Sequence, residues 1–213
     1  MPMGLRSWYE ESILPRIIKC ACNDARIHEM RRHVVPLAQG RVFELGCGGG
    51  LNQQFYDLSR VTGFSAIDPS PAMLESALKA AQEKGWQADI RIGRGEAIPF
   101  ADESFDTVVC TYTMCSVTDQ ARALEEMRRI LAPGGRLLFL EHGRAPETGV
   151  YRTQRMIEPV WKRMMGNCHL TREVSAAVKR TGFEIADSTS LYMDKMPRWA
   201  GFMEWGVAVK AAQ

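Results

Sequence analysis

The sequence predicts an α/β fold, a parallel β-sheet with crossover helices on both faces. Three observations predict it. Strand-like and helix-like segments alternate from residue 41 to residue 141. The first strand runs into a turn of nearly bare backbone, Gly46-Cys47-Gly48-Gly49-Gly50. The chain has 213 residues, 46% hydrophobic and 24% charged, which suits one domain with a substantial core.

Residues 41–45 form a short apolar strand that ends in the glycines, and a helix pattern is expected after them. A second strand, 61–67, is closed by Asp68-Pro69. Residues 71–84 read as a helix. Ser70 is placed to cap it, Pro71 suits the first helical position, and Gly85 ends it. Its apolar stripe is Met73, Leu74, Ala77, Leu78 and Ala81. Strands follow at 88–92 and 105–111, then a helix at 119–131 with Ala123, Leu124, Met127, Ile130 and Leu131 on one side. Pro133-Gly134-Gly135 turns the chain into a strand at 136–141. The last third differs in style. It predicts helices at 148–165 and, capped by Thr171, at 171–180, then two strands, 183–192 and 202–210, in a hairpin-like finish. Residues 1–40 form a helical lid, with Trp8, Tyr9, Ile13, Leu14, Ile17 and Ile18 expected over the open edge of the crevice. Residues 41–213 form the ligand-binding domain.

A formal charge of +2 gives no electrostatic case for nucleic-acid binding. The basic pairs Arg31-Arg32 and Arg128-Arg129 read as solvated helix faces. Charges at Arg6, Glu10 and Glu11 interrupt any signal-peptide core, and no apolar run is long enough for a transmembrane segment. Cys20, Cys22, Cys47, Cys110, Cys115 and Cys168 include no CxxC pair, so reduced thiols in a cytoplasmic protein are expected. Cys20, Cys22, His28 and His33 match no common zinc module, and no metal is assigned.

The glycine turn carries the strongest functional signal. Glycines there admit positive φ and let a ligand lie against backbone. A dinucleotide fingerprint, GxGxxG, requires a sixth-position glycine. Counting from Gly46 that position is Leu51, and from Gly48 it is Gln53. No GxxxxGK[ST] occurs either. Instead the acid Glu44 stands two residues before the first glycine. A carboxylate there repels a pyrophosphate and suits a ligand that carries an ammonium and a sulfonium. Asp68, at the tip of the second strand, is placed to accept from ribose hydroxyls.

Glu44–Gly50, Ile67-Asp68-Pro69-Ser70, Gly95-Glu96-Ala97-Ile98-Pro99-Phe100, Ser104-Phe105-Asp106 and Leu131-Ala132-Pro133-Gly134-Gly135 together resemble the successive motifs of class I S-adenosylmethionine (SAM)-dependent methyltransferases, of the ubiquinone/menaquinone-biosynthesis type. The C-terminal part, from Glu141-His142 through Glu158-Pro159-Val160-Trp161-Lys162 and Cys168-His169-Leu170-Thr171-Arg172-Glu173, is similar to the methyltransferase-like proteins that methylate alkyl thiols. Those relatives begin with a membrane anchor that is not expected here. The resemblance implies a Rossmann-like three-layer sandwich, with a seven-stranded, mostly parallel sheet whose last strand is antiparallel. It also implies SAM as cofactor and S-adenosyl-L-homocysteine as product. By position, Glu44 orients the methionine amino group, Gly46, Cys47, Gly48 and Gly50 supply the loop, and Asp68 holds the ribose. Pro69, Met73, Gly95, Glu96 and Ala97 border the adenine, and Thr111 faces the sulfonium. Arg94 stands where many of the family carry an adenine-binding Asp. Arginine cannot accept a hydrogen bond, so that role passes to Glu96 or to a backbone carbonyl.

Methyl transfer chiefly requires alignment of the two reactants. His142, directly after the fifth strand, is the candidate base and catalytic residue. His169 reads as structural, and Cys115 and Cys168 read as buried inert thiols, with contact to the acceptor pocket as the alternative. The Met- and aromatic-rich positions Tyr151, Met156, Trp161, Met164, Met165, Tyr192, Met193, Met196 and Trp199 are expected to include the lining of an apolar acceptor cavity. The expected partner is a small-molecule acceptor, with thiol S-methylation as first choice. Alternatives are O-, N- or C-methylation of a phenol, lipid amine or quinone precursor, and a SAM-binding protein without its own chemistry.

Overall fold

A computed structural model describes residues 13, 14, 17, 18 and 22–211. Part of the expected lid, residues 1–12, 15, 16 and 19–21 with Trp8, Tyr9 and Cys20 among them, lies outside these residues. Helix α1 (Ala25–Val34) is capped at its N-terminus by Asp24, Oδ1 accepting from the Arg26 N–H at 2.9 Å. There follow β1 (Gly40–Leu45), β2 (Val61–Asp68), α2 (Pro71–Lys84), β3 (Ala88–Ile92), β4 (Phe105–Thr111), α3 (Gln120–Ile130) and β5 (Leu131–His142). The chain ends with α4 (Thr148–Met164), α5 (Val174–Arg180), β6 (Phe183–Tyr192), the short α6 (Arg198–Gly201) and β7 (Phe202–Lys210).

The strands form one seven-stranded sheet in the order β3-β2-β1-β4-β5-β7-β6. The pairs β2–β3, β1–β2, β1–β4 and β4–β5 are parallel, and β7 runs antiparallel between β5 and β6. This is the expected Rossmann-like sheet. Because both faces are covered, the central strands are apolar on both sides. Along β5, Leu137 and Phe139 enter one core with Leu124, Met127 and Ile130 of α3 and Val174 and Val178 of α5. Leu138 and Leu140 enter the opposite core with Ile27, Met30 and Val34 of α1 and Leu74 and Ala77 of α2. Strand period two thus divides one strand between two helical layers. Strand order reverses between β1 and β4, and in open α/β sheets the crevice at the carboxyl ends beside such a reversal is where ligands sit.

Several local expectations need correction. No α-helix follows the glycine turn. Residues 51–60 contain only the short 3₁₀ turn Gln53–Phe55. The chain must return past the six residues of β1, about 20 Å at strand rise, while ten residues of α-helix span about 15 Å. A more extended path is required, and Asn52, Gln53 and Tyr56 turn inward along it. Helix α5 starts at Val174, not at Thr171, and Thr171 does not cap it. The Thr171 N–H instead donates to Glu158 Oε2 at 2.8 Å. Ser70 occupies the cap position of α2 without a side-chain bond. Its own N–H donates to Asp68 Oδ1 at 2.9 Å. Pairing of β5 begins already at Leu131, opposite Phe105, so Pro133-Gly134-Gly135 forms an irregularity inside that strand.

The basic pairs are not simply solvated faces. Arg32 is exposed, but Arg31 is buried under Cys22 and lies over the Tyr112 ring. Arg129 binds Glu126, Asp102 and the carbonyls of Ile98 and Phe100, which pins the 98–102 loop. Among the described residues, no helix is long and apolar enough to cross a membrane.

Candidate active site

One cleft of about 1530 Å³ opens along the carboxyl ends of β2, β1, β4 and β5. Its polar wall is set by the glycine turn. Gly46 has φ +70°, and a Cβ there would lie 2.2 Å from Thr113 Oγ1, so this position packs tightly against the turn after β4. Gly48 has φ +50°, and a Cβ there would meet nothing within 4 Å, so bare backbone borders the open cleft. Gly50 is different. Its absent Cβ makes room for Ala80 of α2, and it does not line the cleft.

Asp68 holds the loop in place. Its Oδ2 accepts from the Gly48 N–H and its Oδ1 from the Ser70 N–H, both at 2.9 Å. Each oxygen keeps a second lone pair for a ligand hydroxyl. Burial pushes the Asp68 carboxyl up from its ordinary pKa, and these two backbone donors oppose the shift.

Glu44 is only 2% exposed, and protein donors meet both of its oxygens. Asn52 Nδ2 donates to Oε1 at 2.9 Å and the Tyr56 hydroxyl to Oε2 at 2.8 Å. Burial pushes the Glu44 pKa up to about 7, against those donors. The Asn52 amide also donates to Thr111 Oγ1 at 2.9 Å. With its nitrogen committed to two acceptors, its Oδ1 is left buried and without a hydrogen-bond partner, on a residue that lines the cleft. A buried carbonyl beside a carboxylate is a site for a cationic N–H donor. The residues therefore fit the ammonium end of SAM. Bare backbone at Gly48 and the acid Asp68 fit its uncharged linker and ribose.

Cys47, Pro69, Met73, Gly95, Glu96 and Thr111 all line the same cleft, as expected. Ala97 does not, and its N–H closes a bond to Arg94 O. Glu96 Oε1 accepts from the N–H groups of Thr118 and Asp119 at 2.7 and 3.1 Å, which ties this part of the wall to the turn before α3.

The other half of the cleft is largely apolar, with Lys162 and Arg163 of α4 also on the lining. Trp161, Met165, Met193 and Met196 line it, together with Leu14, Ile18 and Ile27 from the N-terminal segment. Met156 and Met164 are mostly exposed and off this wall. Tyr151 and Tyr192 lie under the guanidinium groups of Arg144 and Arg198. Trp199 packs edge-on against Trp161.

At the junction of the two halves stands Glu141, fully buried, which the sequence reading did not single out as functional. Tyr112 adopts left-handed φ, +55°, and swings the following residues back over β5. The N–H groups of Thr113, Met114 and Cys115 then converge on the Glu141 carboxylate at 2.8, 2.9 and 3.1 Å. Burial pushes Glu141 up to about 7 despite these three donors. His142 follows it onto the cleft wall, edge-on to the Tyr112 ring, with Nδ1 3.9 Å from Cys168 Sγ. Burial acts to lower the His142 pKa, while Cys168 and Glu141 raise it, and the net direction is upward. Cys115 and Cys168 bring their Sγ atoms within 3.6 Å. Cys168 is shifted downward by Cys115, against burial and with support from His142. His169 binds Glu158, and its N–H donates to Cys115 O at 2.8 Å, a structural position.

Comparisons with known proteins agree with this geometry. Residues 43–139 match the family described as methyltransferase domain. The chain is 38% identical over 153 residues to the human thiol S-methyltransferase TMT1A, covering 70% of this chain and 62% of that protein. It is 37% identical over 103 residues to the ubiquinone/menaquinone biosynthesis C-methyltransferase UbiE of Hahella chejuensis, covering 46% and 41%. The chain spans about three-fifths of the length of the thiol S-methyltransferases that it matches. The crystal structure of YcgJ from Bacillus subtilis superposes with a TM-score of 0.68 at 19% identity, over 88% of this chain and 99% of that one, which is a likeness of fold.

Proposed function

Residues 43–139 of this chain form a SAM-dependent methyltransferase domain, and from that premise we propose that the protein transfers the methyl group of SAM to a hydrophobic thiol held in the apolar half of the cleft. The observation that carries the reading is the junction itself. A polar wall suited to a cationic cofactor meets a Trp- and Met-lined recess at His142, with Cys115 and Cys168 beside it. The 38% identity to a thiol S-methyltransferase over 153 residues supports a thiol as the acceptor.

Bound in the polar half, SAM supplies a methyl group already activated on a sulfonium. The protein's task is then placement and charge. Asn52 Oδ1 and the Glu44 carboxylate hold the amino group, and Asp68 accepts from the ribose. Glu96 borders the adenine, and Thr111 fixes Asn52. Trp161, Met165, Met193 and Met196 exclude water and bind the acceptor's apolar body. His142 is the residue assigned to the reacting sulfur, where it favours loss of the thiol proton and so raises the nucleophilic thiolate fraction. Leu14, Ile18 and Ile27 close the apolar half from the N-terminal side.

The test is a panel of hydrophobic thiols, phenols, quinone precursors and amines incubated with SAM and read by mass gain of one methyl. Thiols are the expected products. Methylation of a quinone-precursor carbon alone would move the protein to the chemistry named for UbiE. His142→Ala is expected to cut thiol turnover by about 10²-fold or more, on the scale of a lost acid–base group, with SAM affinity unchanged. A normal rate in that variant would return His142 to a structural role.

A further inference from the structure

Three soft donors converge where the acceptor recess meets the cofactor wall. Cys115 comes from the turn after β4, His142 from the last residue of β5, and Cys168 from the loop after α4. Cys115 Sγ and Cys168 Sγ are 3.6 Å apart, and Cys168 Sγ lies 3.9 Å from His142 Nδ1. All three donor atoms fall within 4.8 Å of one another. Around tetrahedral zinc, with bonds of about 2.3 Å to sulfur and about 2.0 Å to nitrogen, donor atoms stand about 3.5–3.8 Å apart. Two edges of such a tetrahedron are therefore nearly present, and the third closes by a shift of at most about 1.3 Å.

The donors are held in place from behind. The Cys115 N–H is bound by Glu141 Oε2 at 3.1 Å and its carbonyl by the His169 N–H at 2.8 Å. The Cys168 N–H donates to Met165 O at 3.1 Å. Both cysteines are free thiols, and all three residues line the cleft, so the fourth corner of the tetrahedron faces the cavity. Three protein ligands with one corner open is the pattern of zinc sites that do chemistry, and a two-sulfur, one-nitrogen set is soft enough to select zinc over magnesium or calcium.

We propose that Cys115, His142 and Cys168 bind one zinc ion whose open corner takes the acceptor sulfur as a thiolate. This rests on the thiol reading above and says how His142 acts, as a ligand through the metal. The chemistry balances. On coordination the acceptor thiol gives up its proton to solvent and a zinc–sulfur bond forms. Its sulfur then attacks the methyl carbon. The new sulfur–carbon bond forms as the bond to the sulfonium breaks, and that bond's electron pair stays on the cofactor sulfur. The product is a neutral thioether, a far weaker ligand than a thiolate, so it leaves the metal.

The test starts from full-length protein purified with reductant, stripped with a chelator, and loaded with one equivalent of zinc or of cobalt(II). The expected result is one metal per chain after dialysis and, with cobalt, a sulfur-to-metal charge-transfer band with intense tetrahedral visible bands. Cys115→Ser and Cys168→Ser should each weaken metal retention by about 100-fold or more, with SAM affinity unchanged as evidence of an intact fold. Adding a hydrophobic thiol should shift the visible bands. Absence of stoichiometric metal, or equal retention in the doubly substituted protein, overturns the site. A cobalt spectrum untouched by thiol overturns the acceptor's place on the metal. Failure of the thiol-transfer reading looks different, because the metal bands would then be intact while no thiol gains a methyl.

Discussion

In the proposed reading, cofactor recognition turns on Asn52. Its amide nitrogen is spent on Glu44 and Thr111, which leaves its buried oxygen as the acceptor aimed at a cation. Asn52→Ala is expected to weaken SAM binding by roughly tenfold, the scale of one lost hydrogen bond to a charged group of about 1.5 kcal/mol, and calorimetry checks it. Glu44 adds a pH signature. Its carboxyl is raised to about 7 in the folded protein, above its ordinary 4.5. The folded state therefore binds more protons than the unfolded chain between these values. The contribution of Glu44 to stability is greatest below about 4.5 and declines as pH rises to about 7. A cationic ligand reverses the preference by favouring the carboxylate. SAM affinity should rise with pH up to about 7, with proton release on binding seen as buffer-dependent calorimetric heats. Affinity that is flat with pH would remove Glu44 from ligand recognition. Of this network only Glu44 and Thr111 were legible in the sequence. Asn52 and Tyr56 read as ordinary polar and aromatic loop residues, because nothing local says that a polar side chain will be buried against a carboxylate 8 or 12 positions away.

At the scale of elements, the glycine turn separates into roles that the sequence pattern runs together. Gly46 and Gly50 are required by close packing, against Thr113 and Ala80, whereas Gly48 faces open space. Gly46→Ala should destabilise the fold by about 2 kcal/mol or more, from overpacking and a left-handed backbone. Gly48→Val carries left-handed strain as well, at φ +50°, but meets no neighbouring atom, so it should lower the melting temperature less than Gly46→Ala while blocking SAM by filling the cleft. Thermal unfolding and calorimetry on the two variants separate these outcomes, and the reverse pattern would contradict the assignment. Helix α2 was legible because Met73, Leu74, Ala77 and Ala81, Pro71 and Gly85 all agree, although Leu78 of the expected stripe is exposed. The expected helix after the turn was not formed, because the return path to β2 sets the conformation there. The expected Thr171 cap was likewise overridden, since the Thr171 N–H is taken by Glu158. In both places a tertiary demand outweighed a local preference.

For the whole molecule, the order of motifs along residues 41–141 was enough to place the crevice, because parallel crossover topology fixes which strand ends face it. The acceptor recess was less legible. Its walls come from the N-terminal segment, α4, the 193–200 region and the loop at Cys168, segments that sequence spacing does not bring together. Several of the expected lining positions, Met156 and Met164 among them, face outward instead, since an amphipathic helix gives no sign of which stripe meets a cavity. In the proposed reading the molecule joins a wall suited to a cation to a largely apolar recess at Glu141-His142. A crystal structure with S-adenosyl-L-homocysteine and a hydrophobic thiol tests that union most directly. The account predicts the amino group at Asn52 Oδ1, the ribose at Asp68, and the thiol sulfur beside His142 with its tail among Trp161, Met193 and Met196. A cofactor bound away from Asn52 and Asp68, or a thiol that leaves the recess empty, would contradict it.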